Sequence, residues 1–224
     1  MKILKIALIS LISSVLMILP STAKEIRVGV AAGFTNVKAE GSETLKDTSK
    51  KSNTEASENT IIPSIFAEIA ADNGFGIGIE HVPGAADINS TTRSRDNARD
   101  DNVGDSGTNK ASAEIDGLMS VYLIKTFDSG FFVKAGQSST TVNTKEVLAS
   151  GSKYKNADID GTLLGLGFHK ASDTGLFFRV SGEFTDYDDI SLTSQTADAT
   201  TGTTNKINAS VDTVAFKLSV GKAF

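Results

Sequence analysis

The chain has no cysteine, no tryptophan, three prolines and two histidines in 224 residues. Without cysteine there are no disulfide staples, no thiol nucleophile and no thiolate metal site. Two histidines leave little material for imidazole metal centres or general-base chemistry. Basic residues are outnumbered by acidic ones, 22 to 27, for a formal net charge of −5. That balance argues against a nucleic-acid partner, which calls for a basic face. Past the first two dozen residues no apolar run approaches the ~20 residues of a membrane-spanning helix. Hydropathy alone would describe a secreted soluble domain.

Residues 1–23 are set apart. Lys2 and Lys5 form a basic n-region, Ile6 to Leu19 a mostly apolar stretch, and Pro20 precedes Ser21-Thr22-Ala23, small residues suited to a signal peptidase. The expected division is therefore a signal peptide over 1–23 and one domain over 24–224, with cleavage after Ala23.

What the chain has in abundance is alternation. At the C-terminus, Val214, Phe216, Leu218, Val220 and Phe224 share one parity, and Ala215, Lys217, Ser219, Gly221 and Ala223 the other. This is the period of a strand with one apolar face and one polar or small face. The same pattern predicts strands over about 25–37, 61–71, 75–82, 113–127, 131–138, 161–168 and 176–184. In the fourth, Ile115 falls with Met119, Val121 and Leu123 on the apolar parity. Pro63 lacks an amide donor, which predicts a strand end or a bulge there.

The links between the eight strands alternate in length. Short ones contain Asp72-Asn73-Gly74, Asp128-Ser129-Gly130 and Lys170 to Gly175. Long polar ones cover roughly 40–60, 84–112, 144–157 and 185–210, and read as solvated loops. The expected fold is all-β, an eight-stranded antiparallel up-and-down transmembrane β-barrel with both termini at the short-turn end. A soluble lipocalin-like barrel is the competing architecture, but it would place its apolar parity inside. Here the other parity carries the charges and the glycines. Phe75, Phe127, Phe131, Phe168 and Phe224 cluster by the short turns on the apolar parity, as an interfacial girdle would.

A chain that stops on an apolar aromatic after such a strand resembles the closing strand of bacterial outer-membrane β-barrels. The resemblance is to the small eight-stranded type of the OmpA/OmpX and opacity-protein families, and it runs through the mature chain as a pattern. It implies a bacterial outer-membrane location, contact with lipopolysaccharide, and reading of Phe224, with Phe216, by the barrel-assembly machinery. A monomer is expected. On the inward parity Glu68, Glu80, Lys134, Arg179 and Lys217 lie at comparable distances from the short turns, which predicts a belt of ion pairs at similar depth across the narrow lumen.

Enzyme chemistry finds little footing. Lipid A acyltransferases and deacylases share this barrel size and use a His with Ser or acidic partners. No nucleophile arrangement surrounds His81 or His169, and the deacylase His-x-Ser is missing. An omptin-like protease would need more strands. Asp186-Tyr187-Asp188-Asp189 reads as a solvated face before a cation site, and the Arg93, Arg95, Arg99 stretch as a hydrated loop of mixed charge. No cofactor and no metal are expected. Three readings stay open: a structural or surface-interaction barrel acting through four extracellular loops, a small channel for apolar or small solutes of OmpW-like kind, and a lipid-modifying enzyme.

Overall fold

In a computed structural model of the chain, residues 23–44, 51–97, 105–147, 153–196 and 204–224 are described. Of the leader assigned to residues 1–23, residues 1–22 lie outside them, and Ala23 begins β1. Ten strands form: β1 Ala23–Thr44, β2 Lys51–Ala71, β3 Phe75–His81, β4 Ala86–Asn97, β5 Asp105–Thr126, β6 Phe131–Val147, β7 Ala157–Ala171, β8 Leu176–Tyr187, β9 Ile190–Thr193 and β10 Lys206–Ala223. Eight of them close a ring in the order β1-β2-β3-β5-β6-β7-β8-β10, with β10 returning antiparallel to β1 through Phe34↔Phe216 and Val30↔Val220. The other two strands extend the wall: β4 follows β3 along the edge of β5, and β9 follows β8 along β10.

Each alternating segment turns its apolar parity outward. Ile26, Val30, Phe34, Ile65, Leu166, Phe168, Val214, Phe216 and Val220 are all exposed large hydrophobics. On β10 the outward apolar run spans Val214 to Phe224. Ten residues at ~3.4 Å rise and ~40° tilt give a band roughly 26 Å tall, the height of a lipid-facing barrel wall. A soluble lipocalin-like barrel requires the opposite arrangement.

Three of the four long links are shorter than the sequence implies, and the fourth contains β9. β1 runs on to Thr44 and β2 begins at Lys51; β4 and the first part of β5 form a hairpin through the 84–112 region. Arg93 and Arg95 lie on β4, while Arg99 falls outside the described residues. Above the apolar band the faces exchange roles. Val37, Val142, Ile159, Tyr187, Ile190 and Val211 pack inside. Outside, Asn36 donates to Ser57 at 3.0 Å and Asn59 at 2.9 Å, and Lys38 pairs with Glu40 at 2.5 Å and Glu55 at 3.4 Å. Ladders continue here without the apolar-out signature, because the outer face now meets water.

A bulge makes the exchange on β5. Asp116 opposes Thr141 and Met119 opposes Ser139, so Gly117 and Leu118 together face Thr140. Gly117 has φ +64°, and Thr140 Oγ1 donates to the Asp116 carbonyl at 2.9 Å. One extra residue flips every side chain beyond it. Ile115, expected outside with Met119, is therefore inside and 6% exposed. Pro63 departs from expectation too: it pairs with Ala32 with no register shift, mid-strand. The β2–β3 ladder has ended at Ile65↔His81, so on that side no donor is required of it.

The three short turns share one construction. Gly74, Gly130 and Gly175 have φ of +78°, +84° and +79°, and each carbonyl accepts from the next strand: from Thr126 at 2.8 Å, His169 at 2.7 Å and Ala223 at 2.8 Å. A Cβ on Gly130 would stand 2.5 Å from the His169 carbonyl oxygen, whereas one on Gly84 (φ +91°) would meet nothing within 4 Å. Gly130→Ala is therefore expected to cost about 2 kcal/mol or more and Gly84→Ala about 1, readable as unfolding midpoints in urea. Equal losses would mean that backbone strain alone governs both turns.

Candidate functional site: a charged lumen

The inward parity of the apolar band carries charge, and the structure gathers it into two tiers. Nearer the short turns, Glu68 on β2 is 2% exposed. Arg179 on β8 reaches it across the barrel as a fork, Nη1 to Oε1 at 2.5 Å and Nη2 to Oε2 at 2.6 Å. Tyr122 Oη donates to the same carboxylate at 2.9 Å, and Arg27 Nη1 stands 3.7 Å from it while its Nε pairs with Glu25. Phe177, Phe66 and Phe132 ring the Arg179 guanidinium at 5.0, 5.4 and 5.6 Å. Parallel hydrogen bonds and π-faces offset the desolvation that burying this pair entails.

One step higher lies a closed square of two glutamates and two lysines. Lys134 meets Glu183 at 2.6 Å and Glu80 at 3.3 Å; Lys217 meets Glu80 at 2.5 Å and Glu183 at 2.8 Å. Its charges cancel. Ser64 Oγ supplies a further bond to Glu80 at 2.7 Å, and Lys134 Nζ sits 4.3 Å above the Tyr122 ring, which joins the tiers. That ring lies flat because its cross-strand partner is Gly78, where a Cβ would stand 2.5 Å from it.

All five charged residues singled out from the sequence line this lumen, but not as one belt. Lys134 belongs with Glu80 and Glu183, not with Glu68. Counting from the turns measures distance along each strand, and tilt staggers those distances around the ring. Arg27, Glu183 and Tyr122 complete the network; their inward parity was legible, but their height was not. Glu183 is eight residues past Gly175 along β8, yet it reaches the level of Lys134, four past Gly130.

Phe216 is 53% and Phe224 72% exposed on the outer wall. Phe224 closes the barrel through its backbone, donating to Ile26 O at 2.9 Å and accepting from Ile26 N at 3.1 Å. His169 Nδ1 accepts from Arg179 Nε at 2.9 Å and its ring lies 5.0 Å from Phe177, so its partners are a guanidinium and an aromatic. His81 pairs in register with Ile65 and Met119. Tyr187, the last residue of β8, is buried, and Asp189, in the link to β9, is exposed. Among the described residues no three His, Cys, Asp or Glu side chains converge as metal ligands.

Above the square the lumen narrows to a cavity of about 50 Å³, lined by Ser64, Ser120 and Lys217 below and by Ile62, Val82, Ile115, Leu118 and Leu163. A second space between the tiers holds about 20 Å³. Spaces of this size hold isolated waters. Beside the larger one the wall is incomplete: among the described residues no ladder joins β2 to β4.

An apolar exterior band, an ion-paired interior and tight turns at one end define the fold of the small outer-membrane β-barrels. Solved structures agree. Over 91% of this chain the barrel superimposes on 97% of the outer membrane protein OprG from Pseudomonas aeruginosa, with a TM-score of 0.61 at 14% identity. The outer membrane protein AlkL, solved in lipid bilayers, matches with a TM-score of 0.54 at 10% identity, covering 91% of each chain. No protein-family model and no curated protein sequence matches this chain.

Proposed function

We propose that this chain is exported by its leader to the bacterial outer membrane and serves there as a non-conducting structural and surface-interaction barrel. The observation that carries the reading is a contrast of heights. The lumen is closed by two ion-paired tiers within the apolar band, while the wall continues beyond it. β1 has 22 residues, which at ~3.4 Å rise and ~40° tilt reach roughly twice the height of that band. Building so much wall past the bilayer around a closed interior suits display of an outer surface. The outer ends of the strands and their four connections would meet lipopolysaccharide and an extracellular ligand. In this reading the protein is a monomer, uses no cofactor and catalyses no reaction.

Hairpins shortened one at a time down to the level of Phe34, Phe184 and Phe216 test the proposal. Folded, membrane-inserted variants should lose binding to host cells or to neighbouring envelope components by about tenfold or more where a hot-spot cluster is removed. Full binding by all four variants would contradict it.

A second reading has its own support. The cavity above the charged square has Ile62, Val82, Ile115, Leu118 and Leu163 among its lining and lies beside the unpaired β2–β4 stretch. A small apolar molecule entering from outside would be turned sideways by the charged floor. Uptake of a radiolabelled alkane or terpene into vesicles, set against a variant with a disulfide across β2 and β4, separates this reading from the first.

A further inference from the structure

Two lysines at the short-turn end take no part in the lumen and reach back over a turn. Lys125 and Lys222 lie on the outward parity at the ends of β5 and β10 and are half-buried. Each stands one residue before an amide that donates to a turn glycine: Thr126 N to Gly74 O and Ala223 N to Gly175 O. That register sets each lysine over the adjacent turn. Lys125 Nζ donates to the Asn73 carbonyl and sits 4.6 Å from the Phe75 ring centroid and 5.6 Å from that of Phe127. Lys222 Nζ donates to the Thr174 carbonyl, 5.9 Å from the Phe224 centroid. At the third turn the equivalent position is Phe168, packed edge-on against Phe131 at 5.6 Å. So two of three turns carry the same device, and the third does without it.

These contacts are a carbonyl oxygen and aromatic faces, none of them charged. An ammonium has three donors, so each lysine has donors to spare. Each stands two residues inside the end of the apolar band, which closes on exposed Phe127 and Phe224, and its ammonium reaches to the turn, where Asp72, Asn73, Asp173 and Thr174 are exposed. In a bilayer, that boundary is the depth of headgroup phosphates, where cations near an anionic surface are favoured.

We propose that Lys125 and Lys222 form two headgroup sites for anionic phospholipid in the leaflet at the short-turn end. The ammonium meets the phosphodiester, and the phenylalanine rings lie against the glycerol and first methylenes. The inference rests on the outer-membrane reading above. The sites differ from the rest of the apolar wall in preferring a headgroup with net negative charge.

Native mass spectrometry of the folded barrel, titrated with phosphatidylglycerol or phosphatidylcholine, tests it. The wild type should retain up to two phosphatidylglycerol molecules in preference to phosphatidylcholine. Lys125→Ala and Lys222→Ala should each lose one, with retention about fivefold weaker per lysine removed. Lys125→Arg and Lys222→Arg should keep both, and Lys170→Ala, at an exposed lysine nearby, should change nothing. A folded barrel that holds both lipids alike, or a double alanine variant that binds like the wild type, overturns the lysine sites and leaves the barrel standing. A chain that never yields a heat-modifiable barrel overturns both.

Discussion

Arg179→Ala is expected to lower the stability of the folded barrel by about 3–5 kcal/mol, read as a drop in the urea midpoint in lipid vesicles. The substitution strands Glu68, a carboxylate 2% exposed, with only the Tyr122 hydroxyl and the distant edge of Arg27. It also removes a cation from among three aromatic rings. Lys134→Ala should cost less, about 1.5–3 kcal/mol, the range for a hydrogen bond to a charged group. Glu80 and Glu183 would each retain Lys217, at 2.5 and 2.8 Å. Lys155→Ala, at an exposed position outside the lumen, should stay within about 0.5 kcal/mol of wild type. The ranking matters more than any single value. If Arg179→Ala and Lys134→Ala both unfold where the wild type does, the tiers do not hold the barrel together.

Phe224→Ala should separate folding from assembly. Its ring is 72% exposed, and its two backbone bonds to Ile26 survive the substitution. Folding from urea into lipid should therefore be close to normal, within about 1–2 kcal/mol even if part of the ring's lipid contact counts. In cells the loss should be far larger, on the order of a tenfold fall in outer-membrane protein, if the terminal aromatic is the signal that the assembly machinery reads. Phe216→Ala, opposite Phe34 and also exposed, should show the same split more weakly. Quantitative blots of outer-membrane fractions beside refolding yields decide it. Normal cellular levels of Phe224→Ala would end the assembly-signal hypothesis.

How much of this was legible in the amino-acid order follows from what surrounds each strand. Inside the apolar band, lipid on one side and a polar lumen on the other force strict alternation, so the eight segments and the Asp-x-Gly turns stand out. Beyond Phe34 and Phe216 water replaces lipid, alternation loses its contrast, and β1, β2, β5 and β10 run on unseen. Val37, Val142 and Val211 were the trace of that continuation, valines on the inward parity with nothing outward to match them. Gly117 hides a different kind of information. A bulge cannot be read from the apolar pattern until its partner strand is known, and so Ile115 was placed on the wrong face. The charged lumen was half legible for the same reason: parity names the residues that point inward, while only the stagger of neighbouring strands says which of them meet.

A lumen shut by two ion-paired tiers passes no ions, so ionic current across a bilayer is the property to measure. Wild-type protein, folded and inserted into a planar bilayer in ordinary salt, should leave the current at its baseline. Steady stepwise conductance from the wild-type barrel, at a membrane voltage that leaves the bilayer intact, would contradict the account.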